Sequence, residues 1–179
     1  FENVGQWKRA WFYPKKNESM HEAVQRESKA ARDSAGILDA STLGKIDIQG
    51  TDASEFLNRV YTNAWSKLAI GKCRYGLMLN EDGMVYDDGV TTRLDENHYI
   101  MTTTTGGAAT VLGKLEDYLQ TEWPELDVYL TSVTDHYATI SVCGPNSKKI
   151  ISKVIPNLDL SDEKFPHMSF KNTKIDKVK

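Results

Sequence analysis

The sequence predicts an α+β protein of antiparallel sheets with packed helices, on three observations. Ser19 with Glu22, and Asp52 with Glu55, form capping patterns at the start of two helical periods. Asp82-Gly83 separates two strand-like runs and is among the strongest short hairpin signals. Residues 99–105 are extended and β-branched, and they lead through Gly106-Gly107 into an amphipathic period.

Taken in order, residues 1–14 mix five aromatic side chains with basic ones and carry no clean period, so they read as an arm lying on another surface. Met20, Ala23, Val24, Glu27 and Ala31 then repeat at helical spacing up to Gly36. Residues 37–49 alternate loosely and break at Gly44, which predicts a strand over 45–49 ending at Gly50. The second capping pattern opens a helix with Ala53, Phe56, Leu57 and Val60 inward. Residues 73–93 form a hairpin whose two-residue type I′ turn needs positive φ at both Asp82 and Gly83. After residues 99–105, a helix presents Val111, Leu112, Leu115, Tyr118 and Leu119 on one face, and Pro124 stops it. Strands are expected over 128–134 and 137–142, followed by Gly144-Pro145 and a helix from Asn146 to about Val154. The middle order, β-α-β-β-β-α-β, resembles a ferredoxin-like split βαβ unit with one extra strand. Residues 165–170 read as the beginning of another element, as in a piece of a longer chain, and residues 171–179 are basic.

At 179 residues the chain has the size of one domain or of two small ones, long enough to bury a real core. Hydrophobic residues at 40%, charged residues at 26% and a mean hydropathy of -0.49 exclude disorder and membrane embedding as the expected class. The net charge is -3 with Lys and Arg dispersed, so neither a nucleic-acid nor a membrane partner is expected. Cys73 and Cys143 match no metal or redox spacing and are expected as free thiols in a reducing, cytoplasmic compartment, with no leader pattern ahead of them.

Chemistry concentrates on the hairpin. A two-residue loop at Asp82-Gly83 places Tyr75, Leu77 and Leu79 on one face with Tyr86, Asp88 and Val90. Asp88 is then set into an apolar face, where burial would raise its pKa toward proton exchange near neutral pH. Asp87 falls on the other face with Arg74, Met78, Asn80, Thr91 and Arg93, expected to be solvated. Asp88 is the candidate acid/base or ligand-anchoring group; the alternative is a carboxylate that accepts hydrogen bonds from backbone or tyrosine and only orders the sheet.

Other constellations are weaker. Asn80, Asp82, Asp87 and Asp88 lack the glutamate that completes an EF-hand loop, and no metal site is expected. The stretch Thr102-Thr-Thr-Thr-Gly-Gly107 offers N–H groups for a carboxylate or phosphate, or is simply a strand end with a helix cap. His21, His98, His136 and His167 show no acidic partner at ligand spacing. A Gly-x-Ser-x-Gly elbow, a Walker-type loop and a Rossmann glycine fingerprint are absent.

Four segments, Gly36-Ile-Leu-Asp-Ala-Ser-Thr-Leu43, Gly50-Thr-Asp-Ala-Ser-Glu-Phe-Leu57, the Tyr75 to Val90 hairpin and Val142-Cys-Gly-Pro145, resemble the folate-binding aminomethyltransferase superfamily that includes the glycine-cleavage T-protein. Within it, Val4-Gly-Gln-Trp-Lys-Arg9, Tyr61-Thr-Asn63 and the threonine run before Gly107 are similar to the alpha-subunit family of heterotetrameric sarcosine oxidases. The resemblance implies a T-protein-like folate-binding fold, with residues 1–34 as arm and helix and residues 35–50 plus 137–179 as an incomplete first domain. Residues 51–136 would then be the inserted ferredoxin-like unit.

It also implies that tetrahydrofolate binds over the hairpin, with Asp88 catalytic and with Tyr75, Asp88, Val90 and Thr104 on the folate. Thr104 stands where T-proteins usually carry an asparagine. Such an enzyme oxidises sarcosine and yields glycine, 5,10-methylenetetrahydrofolate and hydrogen peroxide. Its flavins (FMN, FAD) and NAD would lie outside this segment or on the partner beta, gamma and delta subunits, and the segment alone would be inactive. The competing readings are a flavin-free aminomethyltransferase acting with a lipoyl carrier protein, and a non-catalytic module that docks through the Trp7 to Tyr13 arm.

Overall fold

A computed structural model of the chain describes residues 1–175. In chain order the elements are β1 (Glu2–Val4), β2 (Trp7–Arg9), α1 (Met20–Asp33), β3 (Gly36–Asp39), β4 (Gly44–Gln49), α2 (Ala53–Val60), β5 (Cys73–Leu79), β6 (Val85–Asp95), β7 (His98–Thr103), α3 (Ala108–Asp117), β8 (Tyr129–Ser132), β9 (Ile140–Cys143) and α4 (Ser147–Val154). The fold is α+β, and the chain divides into two units. One comprises Phe1–Thr42, Ala138–Pro166 and the residues from 172; the other comprises Leu43–Tyr137 with His167–Lys171.

The second unit holds the main core. Its sheet runs β5-β6-β7-β4-β8 with every neighbouring pair antiparallel. The order β8-β4-β7-β6 is that of a ferredoxin-like unit, and β5 is the extra strand at the edge. Alternation along β4 sends Ile46 and Ile48 to one face, where Tyr99 and Met101 of β7 join them. The helices cover that face with Ala53, Phe56, Leu57 and Val60 from α2 and Val111 and Leu115 from α3. These positions recur at three- and four-residue spacing, which is why a short helix can bury one stripe.

Three expectations change here. β4 is an interior strand of the five-stranded sheet, so the expected boundary after residue 50 falls after Thr42 instead. Asp52 precedes α2 but makes no side-chain cap; its Oδ2 accepts the Asp127 N–H at 2.9 Å, while Glu55 pairs with Arg59 one turn on. The helix of α3 ends in a π-turn over Tyr118–Glu122 before Pro124, with the Trp123 N–H donating to the Tyr118 carbonyl at 2.8 Å. That turn swings Trp123 edge-on to Phe56, with the Arg59 guanidinium 5.2 Å from its ring centroid.

In the first unit, the arm forms a small hairpin, β1 with β2, turned at Gly5 with φ 59°. Its period is too short to read in sequence. Arg9 donates to Glu2 across it. The arm then lies along α1: the Tyr13 N–H donates to Glu27 and Arg26 donates to the Tyr13 carbonyl, each at 2.8 Å. The capping box of Ser19 and Glu22 is present in both directions. β3 pairs antiparallel with β9, leaving Ile37, Leu38 and Ile140 exposed.

The arm has an acid-sensitive tie. Glu18 accepts two hydrogen bonds from Arg26, and these, followed by the Lys15 N–H, hold its carboxyl down at about 2. A carboxyl lowered on folding contributes stability that is complete above its ordinary range and is lost as pH falls through its folded value. Acidification from pH 4.5 to 2 is therefore expected to free the arm from α1. The tryptophan fluorescence of Trp7 and Trp11 should change over that window in the parent, and the change should be smaller in Glu18→Gln, the remainder coming from the Glu22 carboxyl, which its hydrogen bonds with Ser19 also hold down.

Candidate functional site

β5 and β6 bear the candidate residues. Their pairing matches the sequence expectation over most of its length: Tyr75 opposes Val90, Leu77 opposes Asp88 and Met78 opposes Asp87. The turn differs from the expected type I′. The Gly83 N–H donates to the Asn80 carbonyl, the Asn80 N–H to the Met84 carbonyl, and Gly83 alone of the turn has positive φ, at 80°. This is a type I turn closed by a glycine bulge, which sets one more residue in the loop. A second irregularity at Tyr86 restores the register, because Leu79 opposes Val85 while Met78 opposes Asp87.

The burial of the two faces is the reverse of the expectation. Met78, Asp87 and Thr91 face the core, with Asp87 only 4% exposed, whereas Tyr75 is 51% exposed and Leu77, Asp88 and Val90 are half-buried. The reason lies outside the hairpin. Gly76 and Gly89 are paired on the inner face, and a Cβ at Gly76 would meet the Trp65 and Tyr61 rings. The apolar cover is thus the indole of Trp65, fully buried, packed edge-on to Tyr61 at 5.7 Å. Tyr86, expected beside Asp88, instead packs against the core through the bulge, with Lys114 Nζ 4.6 Å from its ring centroid.

On the open face the structure brings Tyr75, Asp88 and Val90 together. The Tyr75 hydroxyl donates to Asp88 Oδ2 at 2.6 Å. That hydrogen bond first, then burial, pushes the Tyr75 phenol above its ordinary value, so it remains a donor. The Val90 N–H donates to Thr102 Oγ1 at 2.9 Å, which ties the site to β7. Across the sheet, burial and then the charges of Asp87 and Asp88 push the Tyr61 phenol upward. Asp88 is therefore a half-exposed carboxylate held from one side by a phenol, rather than a carboxyl sealed in an apolar face.

Thr104 is elsewhere. Its N–H points to Asp87, 3.3 Å from each carboxylate oxygen, and its hydroxyl accepts the Gly107 N–H at 3.2 Å. The threonine and glycine run does hold a carboxylate, but it is the chain's own. Sequence reading also missed the pair formed by His98 and Asp47, Nε2 to Oδ1 at 2.5 Å, with the Gln49 amide donating to Asp47 at 2.6 Å. Only the pairing of β4 with β7 brings these residues together. Among the described residues no group of three His, Cys, Asp or Glu could hold a metal ion, and no helix is long and apolar enough to cross a membrane. Cys73 and Cys143 are free thiols.

Comparison with known proteins places the chain in a family. The chain is 60% identical over 176 residues to the sarcosine oxidase subunit alpha of Corynebacterium sp. (strain U-96) and 48% identical over 176 residues to that of Rhizobium meliloti (strain 1021). Each alignment covers 98% of this chain and 18% of the relative, so the chain spans under a fifth of those subunits. Among solved structures, the glycine cleavage system aminomethyltransferase T of Bartonella henselae superposes with a TM-score of 0.67 at 25% identity, over 74% of this chain and 35% of that one. The GCVT N-terminal domain matches residues 1–179, and the chain belongs to that family.

Proposed function

We propose that this chain is the tetrahydrofolate-binding part of a sarcosine oxidase alpha subunit, acting in the cytoplasm, with Asp88 as the catalytic residue on the folate side. The observation that carries the reading is Asp88 on the open face of β6, oriented by the Tyr75 hydroxyl. Among the described residues its Oδ1 accepts no hydrogen bond, which leaves one carboxylate oxygen for an amine. The exposed Tyr75 ring and the half-buried Val90 supply flat apolar surface beside it, so the donor set fits a pteridine. Thr104 contributes by fixing the loop between β7 and α3.

In the reaction this implies, two electrons would pass from the N-methyl group of sarcosine to a flavin bound elsewhere in the assembly, leaving an imine, and from there to dioxygen, which is reduced to hydrogen peroxide. Tetrahydrofolate, when bound, supplies the nitrogen that takes the one-carbon unit, and glycine is released. Asp88 holds that N–H and accepts its proton as the new C–N bond forms, a step that needs a carboxylate within hydrogen-bond reach. Tyr75 keeps the carboxylate pointed outward. Flavin (FMN, FAD), NAD and the beta, gamma and delta subunits belong to the remainder of the assembly.

Nitration of tyrosines in the full-length polypeptide tests the location. The oxidation-resistant analogue 5-formyltetrahydrofolate is expected to protect Tyr75 from tetranitromethane and to leave the exposed Tyr13 and Tyr129 reacting as before. Equal nitration of Tyr75 with and without folate would contradict the proposal.

A further inference from the structure

β6 carries two neighbouring aspartates, and a single extra residue decides which of them reaches the open face. At the hairpin tip Leu79 opposes Val85, yet Met78 opposes Asp87, so Tyr86 is inserted between the two registers. Were the tip register continued without that insertion, Asp87 would oppose Leu77 on the open face and Asp88 would turn into the core. A slip of one residue exchanges the two carboxylates, because side chains alternate faces along a strand.

The inner face contains a lock against that slip. Asp87 is buried, and both of its oxygens lie 3.3 Å from the Thr104 N–H. The loop is drawn onto the carboxylate: Thr104 Oγ1 accepts the Gly107 N–H, and a Cβ at Gly107 would stand 3.4 Å from Asp87 Oδ2 and 2.7 Å from Thr104 Oγ1. Gly107 also begins α3, whose first turn favours a nearby negative charge. Tyr86, the inserted residue, is held on the same side by the Lys114 ammonium over its ring. If β6 slipped, the Thr104 N–H would lose its acceptor.

We infer that Asp87 is a positioning residue, whose hold on the Thr104 N–H selects the register in which Asp88 meets Tyr75 on the open face. The inference rests on the reading of Asp88 as the folate-side carboxylate. Asp87 touches no substrate; it acts through the strand it anchors, and the Tyr75 hydrogen bond supports the same register from the opposite face.

The test uses the full-length polypeptide in its native assembly, measuring 5,10-methylenetetrahydrofolate formed from sarcosine with free formaldehyde trapped, and hydrogen peroxide in parallel. Asp87→Asn keeps a carbonyl oxygen for the Thr104 N–H and is expected to stay within about threefold of the parent, whereas Asp87→Ala should lose about tenfold or more, with peroxide unchanged. Register is then probed directly. Thr92 opposes Cys73, with its hydroxyl 3.2 Å from Sγ, so Thr92→Cys can close a disulfide that pins β6 in the native register. Oxidised Asp87→Ala/Thr92→Cys is expected to recover most of the lost rate, and reduction should remove it again. Should Asp87→Ala not fold alone, the oxidised double variant carries the comparison, and near-parental transfer there supports the register lock. Equal losses in Asn and Ala, or no recovery with the disulfide verified by mass, would overturn it. Asp88→Asn separates the two levels: impaired Asp88→Asn with unimpaired Asp87→Ala sinks the register role alone, and unimpaired Asp88→Asn with impaired Asp87→Ala sinks the folate reading at Asp88.

Discussion

Gly89→Ala in the full-length polypeptide is expected to bring folate-dependent transfer to background while leaving most of the chain folded. Gly89 sits between Asp88 and Val90, and an added Cβ would lie inside contact distance of the Thr102 carbonyl oxygen and carbon on β7. Backbone cannot rotate away as a long side chain can, so β6 and β7 must separate at the point where Thr102 Oγ1 bridges to Val90. Overpacking of this kind costs about 1–3 kcal/mol or more, and here it falls on the strand that carries the catalytic group. Gly83→Ala is the control, since nothing lies within 4 Å of its Cβ and the obstacle is a φ of 80° at the hairpin tip. That change should cost about 1–2 kcal/mol and leave transfer intact. Thermal unfolding and transfer rates for the two variants check this pair.

Asp88→Asn is expected to lower the rate of methylenetetrahydrofolate formation about 10²- to 10⁴-fold, the contribution of a positioned general base. The amide keeps the size of the side chain and can still accept the Tyr75 hydroxyl through its carbonyl oxygen, so the hairpin should hold its shape. What it loses is the ability to take a proton. Peroxide formation, which needs no folate nitrogen, should continue at the parental rate, so the lesion separates oxidation from one-carbon capture.

The hairpin shows what a sequence can and cannot display. The facing of Tyr75 with Val90 and of Leu77 with Asp88 followed from strand alternation around Asp82-Gly83, and the structure has those pairs. Two errors at the turn cancelled: the glycine bulge added one residue to the loop and the Tyr86 bulge returned the register. Which face is buried did not follow, because the inner side of Gly76 is covered by Trp65 and that of Gly89 by the Thr102 backbone of β7, approaches that depend on tertiary packing. The Ser19 capping box involves residues three apart and was legible. The Asp47 and His98 pair joins residues on different strands, the Thr104 hold on Asp87 joins the loop after β7 to β6, and neither leaves a local signal. The unit that owns β4 is hidden from the sequence for a related reason: Ile46 and Ile48 identify a strand, but only pairing with β7 and β8 shows where it belongs.

The most direct measurement is the fate of the methyl carbon. Sarcosine labelled with carbon-13 in its N-methyl group is turned over by the full-length assembly with tetrahydrofolate and a formaldehyde trap, and the label is followed by NMR. In the parent it should appear in the methylene bridge of 5,10-methylenetetrahydrofolate; in Asp88→Asn it should appear in the trapped formaldehyde, with glycine and peroxide formed in both. Delivery of the label to folate by Asp88→Asn at the parental rate would contradict the assignment of Asp88.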